Sequence, residues 1–231
     1  MGDSLGPDIK EVYEEEGASI SIVNKTPIVT GQKILYDINA QGTKPFIREH
    51  HIDCSFPYDS LVSVGDVLLM EKTNLNYMVM NKTPDLFENN IVEWLGVIYL
   101  CNLPITASIV RPVEVRDKSM SSPDGYGVVN GWQVIADSPI YGLLSDRAFG
   151  TTLEDTVQEG PDIIRKIDLY IPKFYDIKPL DRLIVSPTEY YKVSSVQDYE
   201  YPGCSLVLLE EDTRPECSVS KNEVYDDYGE Y

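Results

Sequence analysis

The chain contains an internal repeat, and this feature limits its possible folds more than any other. Residues 52–69 (IDCSFPYDSLVSVGDVLL) align without a gap with residues 167–184 (IDLYIPKFYDIKPLDRLI). Chance matching of two such stretches gives about one identity at average composition. The identities found are Ile52/Ile167, Asp53/Asp168, Pro57/Pro172, Asp66/Asp181 and Leu68/Leu183. A chain of 231 residues is long enough for two related units, each with a modest core.

The similarity continues beyond these stretches. Tyr77-Met78-Val79 aligns with Tyr191-Lys192-Val193, and Gly96–Leu100 aligns with Gly203–Val207. Each copy is therefore predicted to contain a strand that reaches a proline, a turn with an aspartate, two strands joined as a hairpin, and a last apolar strand after a glycine. Duplication of one small β-domain explains this order of elements.

Short apolar runs rich in β-branched and aromatic residues dominate the sequence, so we predict a mainly β fold. One helix is expected over 7–17, because Pro7 and Asp8 are helix-start residues and Gly17 is a helix-stop residue. Pro112 predicts an edge or bulged strand. Strands are predicted over 18–23, 32–38, 67–72, 75–82, 93–102, 105–117, 126–137, 165–172, 182–187, 190–197 and 205–212.

These elements predict two tandem small β-barrel or sandwich domains, with a short N-terminal helix and long loops. The expected divisions are an N-terminal arm and helix (1–17), a first β-domain (18–103), a second β-domain (104–215) and an acidic C-terminal tail (216–231). Two polar segments, 117–127 and 145–162, have no clean periodicity and are predicted to be long loops. Loops of this kind on a β core usually carry function.

Charge excludes several classes of partner. The chain has 38 acidic and 19 basic side chains, a formal net charge of −19. Direct binding of nucleic acid or of an anionic membrane is disfavoured, since both need clustered Lys and Arg. Residues 1–17 carry six acids and one Lys, and residues 216–231 carry five acids and one Lys. Such acidic ends are typical of solvated arms, or of arms that lie on a basic partner.

The sequence also indicates where the protein folds. Its four cysteines, Cys54, Cys101, Cys204 and Cys217, form no C-x-x-C pair. They are expected to be buried apolar residues in a reducing compartment. We see no N-terminal basic and apolar segment and no run of eighteen apolar residues, so a soluble protein folded in a cytoplasm is expected.

Signals for catalysis are absent from the sequence. His50 and His51 are the only histidines, and G-x-S-x-G, Walker and G-x-G-x-x-G motifs are all missing. His51 and Asp53 lie at i and i+2 of one strand and could share a metal, but no third ligand is indicated. We therefore predict no enzyme, no catalytic residue, and no metal or cofactor. Asp66, Asp181 and Gly203 are predicted to be structural turn residues.

One part of the second copy resembles a known family. Residues 167–214 are similar to tailed-bacteriophage head-closure proteins, also called head-completion or neck proteins. The matching residues are Asp181-Arg182-Leu183, Tyr191-Lys192-Val193, Gly203 and Asp212-Thr213-Arg214. The first copy matches more loosely. Leu180 stands where the family usually has Gly, whereas Gly65 keeps the glycine in the first copy.

The resemblance implies a virion protein, assembled in the host cytoplasm. It would be a ring-forming homo-oligomer between portal or adaptor and tail, helping to retain packaged DNA. Double-stranded DNA would be met only in the lumen, without sequence recognition, and no membrane partner is expected. The predicted interface residues are Ser119, Asp124, Tyr126, Arg147, Phe149, Tyr225 and Tyr228.

Two alternatives stay open at this point. The chain could be a tail, baseplate or capsid-surface protein of the same kind of virion. It could instead be a carbohydrate-binding β-module or a glycan hydrolase that uses Trp94 or Trp132 to stack on a sugar.

Overall fold

The computed structural model describes residues 5–37, 51–117, 127–145, 167–199 and 201–214. These residues form one α-helix, thirteen strands and a short 3-10 helix, so the predicted mainly β fold with a short N-terminal helix is confirmed. The helices are α1 (Leu5–Glu16) and the 3-10 helix Lys173–Tyr175. The strands are β1 (Ala18–Ile22), β2 (Val29–Asp37), β3 (His51–Pro57), β4 (Val67–Met70), β5 (Leu75–Phe87), β6 (Asn90–Leu100), β7 (Ser108–Asp117), β8 (Gly127–Ala136), β9 (Leu143–Ser145), β10 (Ile167–Pro172), β11 (Arg182–Ser186), β12 (Glu189–Gln197) and β13 (Cys204–Glu211).

The first unit is a closed six-stranded barrel with the strand order β1-β2-β3-β6-β5-β4. All neighbouring strands are antiparallel, and pairing of Ile22 with Leu68 joins β1 to β4 and closes the barrel. Alternating apolar residues of these strands fill the interior. The buried members of this core are Ile20, Ile22, Ile34, Cys54, Phe56, Val62, Leu68, Met70, Tyr77, Val79 and Ile98.

Helix α1 packs against β2, β3 and β6 through one aromatic anchor. Tyr13 is completely buried, and its hydroxyl lies 2.6 Å from both Ser55 Oγ and Glu93 Oε2. The helix ends at Glu16, as the sequence indicates, and the amide of Gly17 donates to the Tyr13 carbonyl. A buried tyrosine whose hydroxyl has polar partners fixes the helix without leaving an unsatisfied group.

The second unit repeats this arrangement in a seven-stranded sheet with the order β8-β7-β11-β12-β13-β10-β9. Its registers match those of the barrel. Ile52 pairs with Ile98 in the first unit, and the equivalent Ile167 pairs with Leu209 in the second. Strands β3, β4, β5 and β6 therefore correspond to β10, β11, β12 and β13, and β1 corresponds to β7. Even the bulge that follows Val79 in β5 recurs after Val193 in β12.

The two units differ at the position of β2. In the first unit β2 pairs with β1 at one end and with β3 at the other. In the second unit two separate strands take the place of β2. Strand β8 pairs with β7, and β9 pairs with β10. Residues 137–142 separate the two strands and include Pro139, which has no N–H for a ladder. The short strand β9 was not predicted from the sequence.

The sequence alignment of the last strand is wrong by four residues. It placed Gly96 opposite Gly203, whereas the ladders place Gly96 opposite Val207, since Cys54 pairs with Gly96 and its equivalent Leu169 pairs with Val207. The two glycines have unrelated roles. A Cβ on Gly96 would lie 2.8 Å from Phe56 Cε2, so that glycine makes room for a core ring.

Asp66 and Asp181 lie in equivalent turns with the same hydrogen bonds. Asp66 Oδ2 accepts the amide of Ser63 at 2.7 Å, and Asp181 Oδ2 accepts the amide of Lys178 at 2.8 Å. The carbonyl of each aspartate accepts the amide of Val79 or Val193 in the following hairpin. Each carboxylate thus ties a turn to the strand that follows it.

The two units pack against each other through glycines and a small apolar cluster. A Cβ on Gly203 would lie only 2.3 Å from the Gly65 nitrogen, so the two backbones meet where neither position has a side chain. Cys204 Sγ lies 3.2 Å from Met80 Sδ beside this contact. The buried cluster between the units consists of Met78, Met80, Leu143, Tyr170, Cys204 and Leu206.

The residue before each turn aspartate gives a test of backbone strain. Gly65 has φ +86°, and Leu180 has φ +78° at the equivalent position. We expect Leu180→Gly to raise the free energy of unfolding by up to about 1 kcal/mol in urea denaturation. Relief of a left-handed conformation, about 1–2 kcal/mol, exceeds the entropy that glycine adds to the unfolded chain.

Gly65→Ala is the matched control and should destabilise the protein. Its Cβ would meet the Gly203 carbonyl oxygen at 2.6 Å in addition to the backbone strain. A Leu180→Gly variant that is less stable than the wild type would contradict the strain argument.

Candidate functional site

The strongest concentration of buried charge lies in the second unit, in a group that we call the arginine cluster: Trp132, Arg182, Asp212 and Arg214. Arg182 begins β11, Asp212 follows β13, and Trp132 belongs to β8. Residues far apart in the sequence therefore meet at one end of the sheet.

Arg182 is the centre of the cluster. Its side chain is 1% exposed, and its Nε donates to Asp212 Oδ2 at 2.5 Å. The guanidinium carbon lies 4.3 Å from the centroid of the Trp132 ring and 5.6 Å from that of Tyr190. A flat cation between a carboxylate and aromatic rings is a favourable way to bury an arginine.

Arg214 completes the cluster from the other side. Its Nε and one terminal nitrogen donate to the Asp212 carboxylate, the latter at 2.7 Å, and its guanidinium lies 4.9 Å from the Trp132 centroid. Its other terminal nitrogen donates to the Leu180 carbonyl. The carboxylate is thus held by two guanidiniums and also accepts the backbone amide of Arg214.

Opposing effects set the acidity of Asp212. Burial raises the pKa of the carboxyl group, but hydrogen bonds from Arg214 and Arg182 lower it by more. The net result is a pKa far below the ordinary value for aspartate, so Asp212 stays ionised at any physiological pH.

The first unit has no such cluster at the same place. By ladder register, Arg182 corresponds to Val67 and Asp212 corresponds to Cys101. Val67 is fully buried, so the same barrel position accepts an apolar side chain. The fold alone does not require the charges, since buried ion pairs are often no more stabilising than apolar residues of similar volume.

A long hairpin begins at the cluster. Strand β7 pairs with β11 only from Ser108 to Val110, whereas it pairs with β8 as far as Asp117 and Gly127. At the root of this hairpin the guanidinium of Arg111 donates to both oxygens of Asp181, at 2.8 and 2.9 Å. The arginine cluster and this ion pair therefore fix the base of the hairpin to the second unit.

Four of the residues that carry the sequence resemblance lie at this site. Asp181, Arg182, Asp212 and Arg214 all belong to the arginine cluster or to its neighbouring ion pair. Sequence reasoning did not assign Arg111 or Trp132 to this site. The sequence signal for a charged site in the second unit was Arg182, which stands where the first copy has Val67.

The predicted interface residues Ser119, Asp124, Tyr126, Arg147, Phe149, Tyr225 and Tyr228 lie outside the described residues, as does His50. Gly203 lies in the bend before β13, and the turn positions of Asp66 and Asp181 are given above.

Other candidate groups are present but incomplete. His51 Nε2 lies 3.1 Å from Asp53 Oδ1, yet the described part of the chain contains no group of three metal-ligating side chains. A surface depression of about 330 Å³ is lined by residues of α1, including Lys10 and Glu14. Within residues 5–214, apart from the undescribed ranges, no helix is long and apolar enough to cross a membrane.

Comparison with known proteins gives no match to a family model, to a curated protein or to a solved structure.

Removal of the central carboxylate tests the cluster. Asp212→Ala leaves Arg182 buried without its counter-ion, so we expect a loss of about 3–5 kcal/mol in the free energy of unfolding. Glu210→Gln is the control, because the pair Lys192–Glu210 is 33% and 40% exposed and should contribute less than about 1 kcal/mol. Equal losses in urea denaturation would contradict the role of the cluster.

The pH dependence gives a second test. A carboxylate with a depressed pKa stabilises the folded state above its unfolded-state pKa, about 4, and this contribution is lost as the pH falls through the lower folded-state pKa. The difference in unfolding free energy between wild type and Asp212→Asn should therefore be constant above about pH 5 and shrink below about pH 4. A difference that does not shrink on acidification would show that Asp212 acts by packing alone.

Proposed function

We propose that the protein is a non-enzymatic structural subunit of a tailed-phage virion, in a neck or head–tail connector ring. The ring would join portal or adaptor to the tail and help retain packaged DNA. The observation that carries the proposal is the meeting of Asp181, Arg182, Asp212 and Arg214 at the root of one hairpin. These four are among the residues by which residues 167–214 resemble head-closure proteins.

The chemistry of the cluster favours a structural role. The Arg182 and Asp212 side chains are each 1% exposed, and their hydrogen bonds are made within the protein. A buried group whose charges are already paired offers no open position to a substrate. Its effect is to hold the β7–β8 hairpin and the end of β13 in a fixed relation.

The charge of the chain fits a ring through which DNA passes. A formal charge of −19 repels the phosphate backbone, so a duplex in the lumen would slide without being held. The same charge favours neighbours with basic docking surfaces. A tail, baseplate or capsid-surface position in the same virion is equally consistent with these properties.

A glycan-binding role receives less support from the two tryptophans. The Trp132 ring contacts the Arg182 and Arg214 guanidiniums, and Lys82 Nζ lies 4.4 Å from the centroid of the Trp94 ring. Trp94 Nε1 also donates to the Tyr58 carbonyl. Cations thus occupy positions over rings that a sugar would need for stacking.

Localisation and imaging test the proposal together. Gold-labelled antibody against the protein should mark purified phage particles at the junction of head and tail. Negative-stain images of the purified protein, alone or with portal and tail components, should show closed rings.

Label on the tail tip, baseplate or capsid face would replace the connector assignment by the alternative virion position. A protein that is absent from particles and binds a glycan array would overturn the virion proposal.

A further inference from the structure

Strand β8 is an unusual edge strand for so acidic a chain. Its sequence, Gly127–Ala136 (GVVNGWQVIA), contains no charged residue. It lies at one end of the seven-stranded sheet, where its only strand neighbour among the described residues is β7. No described strand pairs with the other side of its backbone, where a row of N–H and C=O groups can pair with a further strand.

Most of β8 also lies beyond the body of the sheet. Because β7 leaves β11 after Val110, residues 111–117 and 127–133 form a two-stranded ribbon. A two-stranded ribbon is only marginally stable in water and normally gains a third strand or a packing surface. The arginine cluster supports its root at Trp132, but that support does not supply a partner for the outer edge of β8.

The two edges of the ribbon are not equivalent. Strand β7 (SIVRPVEVRD) contains Arg111, Glu114, Arg116 and Asp117, and also Pro112, which has no N–H to donate. Charges and proline are the devices by which edge strands avoid pairing with other chains. Strand β8 has neither, so it is the edge open to strand addition.

Charge indicates the occupant. Two copies of a chain with a net charge of −19 repel each other. The electrostatic repulsion is smallest where the copies meet along an element without charged residues. The strand at the other end of the sheet, β9, has only three residues, whereas β8 has ten. Antiparallel pairing of β8 with β8 places the same uncharged strand on both sides and needs only main-chain complementarity.

We propose that the outer edge of β8 binds β8 of a second copy of this chain, so that two seven-stranded sheets join into one across a two-fold axis. This contact is distinct from the contacts that would close a ring. It rests on the proposed function only in expecting more than one copy in the assembly.

Sedimentation and light scattering of the purified full-length protein over a range of concentrations test this contact. Val134→Lys places a charge on the β8 edge at a side chain that is 41% exposed, and Gln133→Lys does the same at the exposed neighbouring position. Either variant should weaken self-association by about ten-fold, since like charges meet across the new strand pair. Ile105→Lys, 76% exposed and outside the ribbon, makes the same charge change and should leave self-association unaltered.

Hydrogen exchange identifies the surface. About every second amide of residues 127–134 should become protected as wild-type concentration rises, because only alternate N–H groups of an edge strand face outward. A wild type that is monomeric throughout would overturn the inference. Oligomers whose β8 amides stay unprotected, or that respond equally to Val134→Lys and Ile105→Lys, would overturn it too. None of these results decides the virion assignment, which depends on particle labelling.

Discussion

A buried carboxylate at the same turn of each unit is the interaction on which both units depend. Asp66 is 5% exposed and Asp181 is fully buried, so each would be costly without partners. Each accepts an amide from three residues earlier and a hydrogen bond from a side chain on the neighbouring strand or loop, Asn24 in one unit and Arg111 in the other. Because these bonds fix the turn by its backbone, the surrounding sequence is free to vary. This explains why the two copies share so few identities and yet the same ladders.

The cations that form ion pairs with these two carboxylates differ between the units. Lys25 approaches Asp66 from a side chain that is still partly exposed, whereas Arg111 reaches Asp181 from within β7. In the first unit the chain turns back directly after β1. In the second it continues into the long hairpin, and the arginine cluster occurs only there. The additional buried charges thus lie where the chain departs from the arrangement that the two units share.

Much of the fold was predictable because the signals are local. Alternation, turn residues and the repeat are enough to predict a mainly β chain, and each predicted strand corresponds to an observed one. The register of the last strand was not predictable, since Gly96 and Gly203 match by residue type while serving a core ring and a backbone contact. The roles of the two glycines can be told apart only from the ladders that pair β6 with β3 and β13 with β10.

The candidate site was predictable only in part, for a related reason. The pattern Asp212-Thr213-Arg214 could be read from the sequence, but its partners could not. Arg182 lies thirty positions from Asp212, and Trp132 contacts both arginines from β8, the strand at the edge of the sheet. A contact between side chains on different strands produces no periodic pattern in the sequence. All of the predicted interface residues fall outside the described ranges.

The joint between the units depends on the same turns. The amide of Gly65 donates to the Val79 carbonyl inside the first unit, and the other side of that glycine is where Gly203 of the second unit approaches. Met80, which follows Val79 in β5, contacts Cys204, which follows Gly203. The turn that Asp66 fixes is therefore also the surface on which the second unit rests. A disturbance of that carboxylate would alter not only one barrel but also the angle at which the β7–β8 hairpin leaves the other unit.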